Sequence, residues 1–303
     1  MKKLILAFAA IAAMASCSKE TETIESPAVG DQAASFFSQI SSRVVADTLW
    51  SEGDQIGVYQ ILTGNTDLAN YASYSNVSYT STAADSSEVA AFEVTTAGKD
   101  IYFPLNEETQ VDFYAYYPYS ASSGSGGIYS LSIQAQDRSS IDLLVASTKG
   151  CSAVSSTEVG FEFSHALSKL QINLIAGSGI ESSDLADMRI TVSGMPTRAS
   201  YNLATNEITG QTSKQDMSFA EIVNGESYDV MLIPGTVELN SYITLTFKNN
   251  DKAVIDTDFE SVVLEAGKVF VFDVTIEKVD SELTTGTING WSGDSLGSGV
   301  AGQ

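Results

Sequence analysis

Apolar side chains recur at every second residue along much of this chain. Val111, Phe113, Ala115 and Tyr117 alternate with Asp112, Tyr114 and Tyr116. Leu170, Ile172 and Leu174 alternate with Gln171 and Asn173, and Ile243, Leu245 and Phe247 with Thr244 and Thr246. Successive strand side chains point to opposite faces, so a two-residue period commits a segment to a sheet with one covered face. Residues 269–276, VFVFDVTI, are apolar at nearly every position, the pattern of a strand covered on both faces. Gly, Asn, Asp and Ser clusters separate these runs at short spacing, which predicts an all-β sandwich architecture. Ser, Thr, Val, Ile and Tyr are plentiful while Lys and Arg are few, a balance that favours strands over helices. The stretch 120–127 (SASSGSGG) reads as a loop. A short helical turn fits 182–188, and the predicted domains run 34–160 and 161–303.

The first residues determine the compartment. Lys2 and Lys3 form a positive start, Leu4 to Ala13 is an uncharged apolar run, and Met14-Ala15-Ser16 leads into Cys17. This is the pattern of a removed export segment, residues 1–16, with lipid attached at Cys17. The run is shorter than the ~20 apolar residues that span a bilayer. Each acyl CH₂ buried in a membrane contributes roughly 0.8 kcal/mol, and two or more chains, palmitate among them, anchor a protein stably. The membrane is therefore a predicted partner, through a lipid anchor and not a spanning helix. Residues 17–33 are largely polar and acidic and read as a flexible tether. With Cys17 acylated, Cys151 has no cysteine to pair with, so the mature chain must rely on its core. Only Lys149 lies close enough in sequence to activate the Cys151 thiol, and a quiet cysteine is the simpler reading.

Loss of Lys2 and Lys3 with the export segment takes the formal charge from −23 to −25. Such a surface repels nucleic acid. His165 is the single histidine, set among apolar neighbours in FSHALSKL, and reads as structural. One histidine and two cysteines cannot build a zinc cluster. No phosphate loop, dinucleotide fingerprint or EF-hand spacing occurs, and no cofactor is expected. Glu107 and Glu108 follow Pro104 in a turn, where a solvated pair is simpler than a glycosidase dyad facing across a cleft. No catalytic residue is assigned.

Seven blocks in order carry a family resemblance. Trp50-Ser-Glu-Gly-Asp54-Gln-Ile-Gly57-Val-Tyr59, Val111-Asp-Phe-Tyr-Ala-Tyr-Tyr-Pro118-Tyr119 and Asp142-Leu-Leu-Val-Ala146 are the first three. Phe163-Ser-His165-Ala-Leu-Ser-Lys169-Leu170, Leu232-Ile-Pro234, Ala266-Gly-Lys268 and Ile288-Asn-Gly-Trp291 complete the set. Together they resemble the fimbrillin family of the Mfa-like type. That resemblance implies two β-sandwich domains of transthyretin-like topology in tandem. It also implies a lipoprotein precursor at the outer membrane and cell surface, a role in adhesion, and other fimbrial subunits as partners. In polymerising members an arginine-specific protease removes the first strand with its lipid, and a strand of the next subunit fills the groove, which is β-strand addition.

Residues 34–45, ASFFSQISSRVV, are the candidate first strand, with Phe36 and Ile40 facing the core. Arg43 is the first arginine of the chain and the candidate cleavage site; a surface Arg in an edge strand is the plainer alternative. The tail SGDSLGSGVAGQ is rich in Gly and makes a poor donor strand, which leaves open a terminal (tip or accessory) subunit or a relative that never polymerises. Asp47-Thr48-Leu49 and Asp294-Ser295-Leu296 resemble a three-residue O-glycosylation signal. Two other readings stand beside the fibre subunit. A non-polymerising surface lipoprotein could stack a glycan or host ligand on Tyr71, Tyr74, Tyr79 and Tyr114 to Tyr119. A carboxylate hydrolase would need a deep cleft between two acids. An exposed aromatic platform would mark the former, and a covered, replaceable strand at 34–45 the fibre subunit.

Overall fold

The computed structural model describes residues 28–40, 49–84, 87–122, 124–136, 138–185, 188–219, 228–237, 242–247, 252–256, 262–279 and 282–293. Cys17, Arg43, both glycosylation-like triplets and the tail after Gly293 lie outside the described residues, except for Leu49.

The chain is all-β. Its first half supplies β1 (Val29–Ala33), β2 (Ser35–Ile40), β3 (Gln55–Leu62), β4 (Ala72–Ser81), β5 (Val89–Val94) and β6 (Tyr102–Pro104). There follow β7 (Val111–Tyr117), β8 (Ile128–Ser132), β9 (Leu144–Cys151) and β10 (Glu158–His165). Seven of these close on themselves in the order β10-β2-β5-β4-β3-β7-β9, so the expected sandwich layers join around their edges into a barrel. A turn at Gly53-Asp54 leads into β3. Gly53 adopts φ +90°, open to a residue without a Cβ, and Asp54 accepts the Ser51 N–H at 2.8 Å. Pro118 follows the last residue of β7, which it could not continue.

The barrel interior is aromatic. Trp50 meets Phe92, Tyr117 and Phe163 edge-on at ring separations of 5.1, 5.4 and 5.3 Å. Ile56, Val58, Val111, Phe113 and Ala115 fill the space from β3 and β7. The opposite face of those two strands is buried as well. Tyr59, Ile61, Tyr114 and Tyr116 belong to a second apolar core, shared with the rest of the chain. This is why β3 and β7 are covered on both sides, whereas β5 alternates between exposed and covered positions.

That second core is enclosed by four smaller sheets. Strands β11 (Ser168–Ala176), β12 (Arg189–Ser193), β13 (Pro196–Asn202), β14 (Ile208–Lys214), β15 (Met217–Phe219) and β16 (Tyr228–Leu232) come first. Strands β17 (Gly235–Val237), β18 (Tyr242–Thr246), β19 (Lys252–Asp256), β20 (Val262–Leu264), β21 (Val269–Val279) and β22 (Glu282–Gly293) follow. They pair as β16-β11-β21-β22, β15-β12-β18-β19, β14-β13-β8 and β17-β20. The apolar run at 269–276 lies in β21, between β11 and β22, with Val274 and Ile276 fully inside. The sequence's helical turn at 182–188 is a 3-10 turn, Ser182–Leu185.

Two boundaries differ from the sequence reading. Residues 29–33, expected in a flexible tether, form β1, because an edge on β6 is free to pair with them (Val29 opposite Pro104, Ala33 opposite Tyr102). The expected change of domain at 160/161 falls inside β10, every residue of which pairs within the barrel. The chain leaves the barrel at Ala166-Leu167, and β8 has already crossed to pair with β13.

The seam between barrel and second core is a tyrosine network. The Tyr116 hydroxyl lies 2.7 Å from Asn76 Oδ1 and 2.8 Å from the Ser120 carbonyl, and accepts the Ser120 N–H at 3.2 Å. Tyr59 donates to the Gly124 carbonyl and accepts the Gly127 N–H at 3.3 Å. The glycine-rich loop is thus pressed into the seam. Burial pushes both phenols above their ordinary range. At Gly57 a methyl group would overlap the Tyr116 ring and crowd Asn76 Oδ1. Gly57→Ala should therefore destabilise the chain by about 1–3 kcal/mol, the ordinary cost of overpacking, read from urea unfolding.

Tyr117 supplies a pH signature. Burial, then the charge of Asp54, which accepts its hydroxyl at 3.2 Å, push its phenol up to about 12 from the ordinary 10.0. The folded chain therefore holds this proton after the unfolded chain has lost it. The contribution is fully present below about pH 10 and is lost as pH rises toward about 12. Urea midpoints measured across that window should fall less steeply for Tyr117→Phe than for the parent.

Candidate functional site

Strand β2 is hydrogen-bonded on both sides within the barrel wall. It runs parallel to β10, with Phe36 opposite Val159 and Phe37 opposite Gly160. It runs antiparallel to β5, with Phe36 opposite Phe92 and Ser38 opposite Ala90. Its side chains alternate: Ala34, Phe36 and Ser38 point in, Ser35 and Phe37 out. Phe36 is the anchor, 2 % exposed. Its ring meets Tyr79 and Phe113 edge-on at 4.8 and 5.4 Å and stacks on Phe161 at 5.5 Å. Such pairs add about 0.5–1.5 kcal/mol each beyond the area they bury. Tyr79 is itself held by the Ile101 N–H at 2.9 Å, so the wall of the Phe36 slot is fixed.

The outer face carries a second contact. Phe37, 44 % exposed, lies across Gly160 on the neighbouring strand. A Cβ at Gly160 would sit 2.7 Å from Phe37 Cζ, so a side chain there would displace the ring from its place over the strand. Glu158 and Glu162 flank Gly160 on the same face and are exposed.

Position within the molecule separates β2 from the other barrel strands. The outer faces of β3, β7 and β9 carry Tyr59, Ile61, Tyr114, Tyr116 and Val145 into the second core. The outer faces of β10, β2 and β5 look to solvent. Removing β2 would open the barrel without touching the seam.

Phe36 points into the core as expected. Ile40 ends β2, and its side chain lies outside the described residues. The aromatic platform does not form as the glycan-binding alternative requires. Tyr79, Tyr114 and Tyr116 are buried, Tyr71, Tyr74, Tyr117 and Tyr119 are half-buried, and the set is divided between two cores. His165 is buried with Nδ1 at 2.7 Å from Asp142 Oδ1, a structural pairing at the end of β10. The half-exposed Cys151 thiol is pushed up by burial, then by the Asp112 charge, away from reactivity. Sequence reasoning missed the contact of Phe37 with Gly160. The available signal was a glycine inside an alternating strand, which marks a close approach.

The fimbrillin-like family matches residues 42–291, and the chain belongs to it. A candidate fimbrium subunit of Bacteroides uniformis, Fim1C, is 28% identical over 297 residues, 94% of each chain. Among solved structures, a candidate cell adhesion protein from Bacteroides uniformis superposes with TM-score 0.66 at 24% identity, covering 86% of this chain and 99% of that one. A second, from Bacteroides ovatus, gives 0.63 at 22%, covering 87% and 99%. These two share the fold.

If β2 closes the barrel chiefly through Phe36, then Phe36→Ala should cost about 3–5 kcal/mol in urea unfolding. Phe37→Ala, on the solvent side, should cost clearly less. Equal costs would remove Phe36 as the anchor.

Proposed function

We propose that the chain is a subunit of a surface fimbrium, assembled by β-strand exchange at the β2 slot and serving adhesion. It is made as a lipoprotein, held at the outer membrane through Cys17, and its partners are other fimbrial subunits. The observation that carries this reading is the placement of β2. It is the first barrel strand in the chain, it is bonded on both edges, and only its inner face is enclosed. A cut at Arg43, three residues beyond its end, would leave β1 and β2 attached to the barrel by non-covalent contacts alone. Membership of the fimbrillin-like family supports the same reading. We place the division between the two domains at Ala166-Leu167, where the chain passes from the barrel to β11.

An open slot would expose the free edges of β5 and β10 and the aromatic wall around Phe161. An incoming strand satisfies both, and repetition of such a head-to-tail contact builds a fibre. Among the described residues no helix is long and apolar enough to cross a membrane, as suits a lipid anchor.

The mature chain should be incubated with an arginine-specific protease and run unboiled on a denaturing gel beside Arg43→Ala. A ladder of stable oligomers that the variant does not form is the expected outcome. A single uncut band, or equal ladders from both chains, would defeat the proposal.

A further inference from the structure

The strand that fills the slot is not the best one the slot could hold. Ala34 and Phe36 on β2, and Val159, Phe161, Phe163, Ala90 and Phe92 on the strands beside it, make the inner row apolar around one polar residue. Ser38 is fully buried, opposite Ala90 on β5 and Phe161 on β10, and its Oγ has no hydrogen-bond partner among the described residues. Burying a hydroxyl without a partner costs free energy, whereas a methyl in the same place would gain it. The defect lies on the inner face of a barrel strand whose outer face takes no part in the seam.

Other features of the slot fix what can replace it. A slip of two residues keeps the inward and outward faces but would put the Phe36 ring where Ala34 or Ser38 sits. It would also move the outer aromatic from Gly160 to the side chain of Glu158 or Glu162. Inner and outer faces therefore specify the same register independently.

We propose that β2 is a resident strand weakened at Ser38, and that the slot is built for a foreign strand of defined pattern. That strand runs parallel to β10. It carries a small residue, an aromatic and a small apolar residue at the inward positions of Ala34, Phe36 and Ser38, with a side chain over Gly160 between the last two. The partner is thus another protein subunit that replaces the serine by an apolar residue. This rests on the strand-exchange reading above and adds which strand is accepted and why it displaces the resident.

The test uses the full mature chain with residues 43–48 replaced by the site of an unrelated sequence-specific protease, so that Arg43 plays no part. After cutting, three synthetic peptides compete with the resident segment, and its release is followed by native mass spectrometry. The first has the sequence of residues 28–40, the second carries Ser38→Ala, and the third exchanges Phe36 and Ser38 at unchanged composition. The Ser38→Ala peptide should displace the resident at about tenfold lower concentration than the unaltered one. The exchanged peptide should fail. In the uncut chain, Ser38→Ala should raise the urea midpoint. Equal displacement by the first two peptides, or displacement by the third, would overturn the inference and leave strand exchange standing. No displacement by any peptide would defeat strand exchange itself, and the inference with it.

Discussion

Burial of β3 and β7 on both faces is the constraint from which the rest of the architecture follows. A barrel strand ordinarily has one side chain in two available for packing against a second body. Here Tyr59, Ile61, Tyr114 and Tyr116 supply that second set, and the phenol oxygens of Tyr59 and Tyr116 are satisfied by backbone of the 120–127 loop. Large buried side chains with a polar tip suit a seam, because the ring packs while the hydroxyl fixes orientation. Once this side of the barrel is committed to the second core, the outer faces of β10, β2 and β5 are left to solvent.

That asymmetry is what singles out β2 in the exchange proposed above. Withdrawal of β3 or β7 would break the barrel interior and the seam together, and their local twist and register are shared by both cores. Withdrawal of β2 costs its backbone ladder to β5 and β10 and the apolar contacts of its inner face. Both losses are of the kind that another strand restores in full, since ladder bonds carry no sequence and the slot is preformed. Exchange is therefore favourable only if the newcomer's side chains fit better than the resident's, and a buried serine among aromatic neighbours is a means of arranging that.

The alternation in residues 111–117 shows how much of this could be read from the amino acids. It placed Val111, Phe113 and Ala115 on one face, and they do line the barrel. It also placed Asp112, Tyr114 and Tyr116 on the other face, where alternation alone suggests solvent. Tyrosines there were open to a ligand-stacking interpretation, because the partner that covers them comes from residues far along the chain. Pairing of β8 with β13 was illegible for the same reason: the contact is non-local, and no local pattern announces which sheet a short strand joins. The point where the chain leaves the barrel was hard to read because β10 and β11 are both strong strands separated only by Ala166-Leu167.

The slot itself was half legible. Phe36 followed from its parity with the apolar positions around it. Ser38 did not, because a serine in an alternating strand is expected at a solvent position, and its phase here is set by Phe36 and not by its own polarity. Gly160, a glycine inside an alternating strand, signalled a close approach but not that the Phe37 ring makes it. Both residues look like weak points when a strand is judged by propensity, since one buries a hydroxyl and the other lacks a side chain. Judged as parts of a slot, they have complementary effects. In the proposed exchange, Gly160 would favour the register of a strand that brings a bulky outward side chain, and Ser38 would make the resident the weaker of two strands that share that register. Under the proposed exchange, the local disagreement between sequence and fold at Ser38 would lie on the strand whose stability has to be less than maximal.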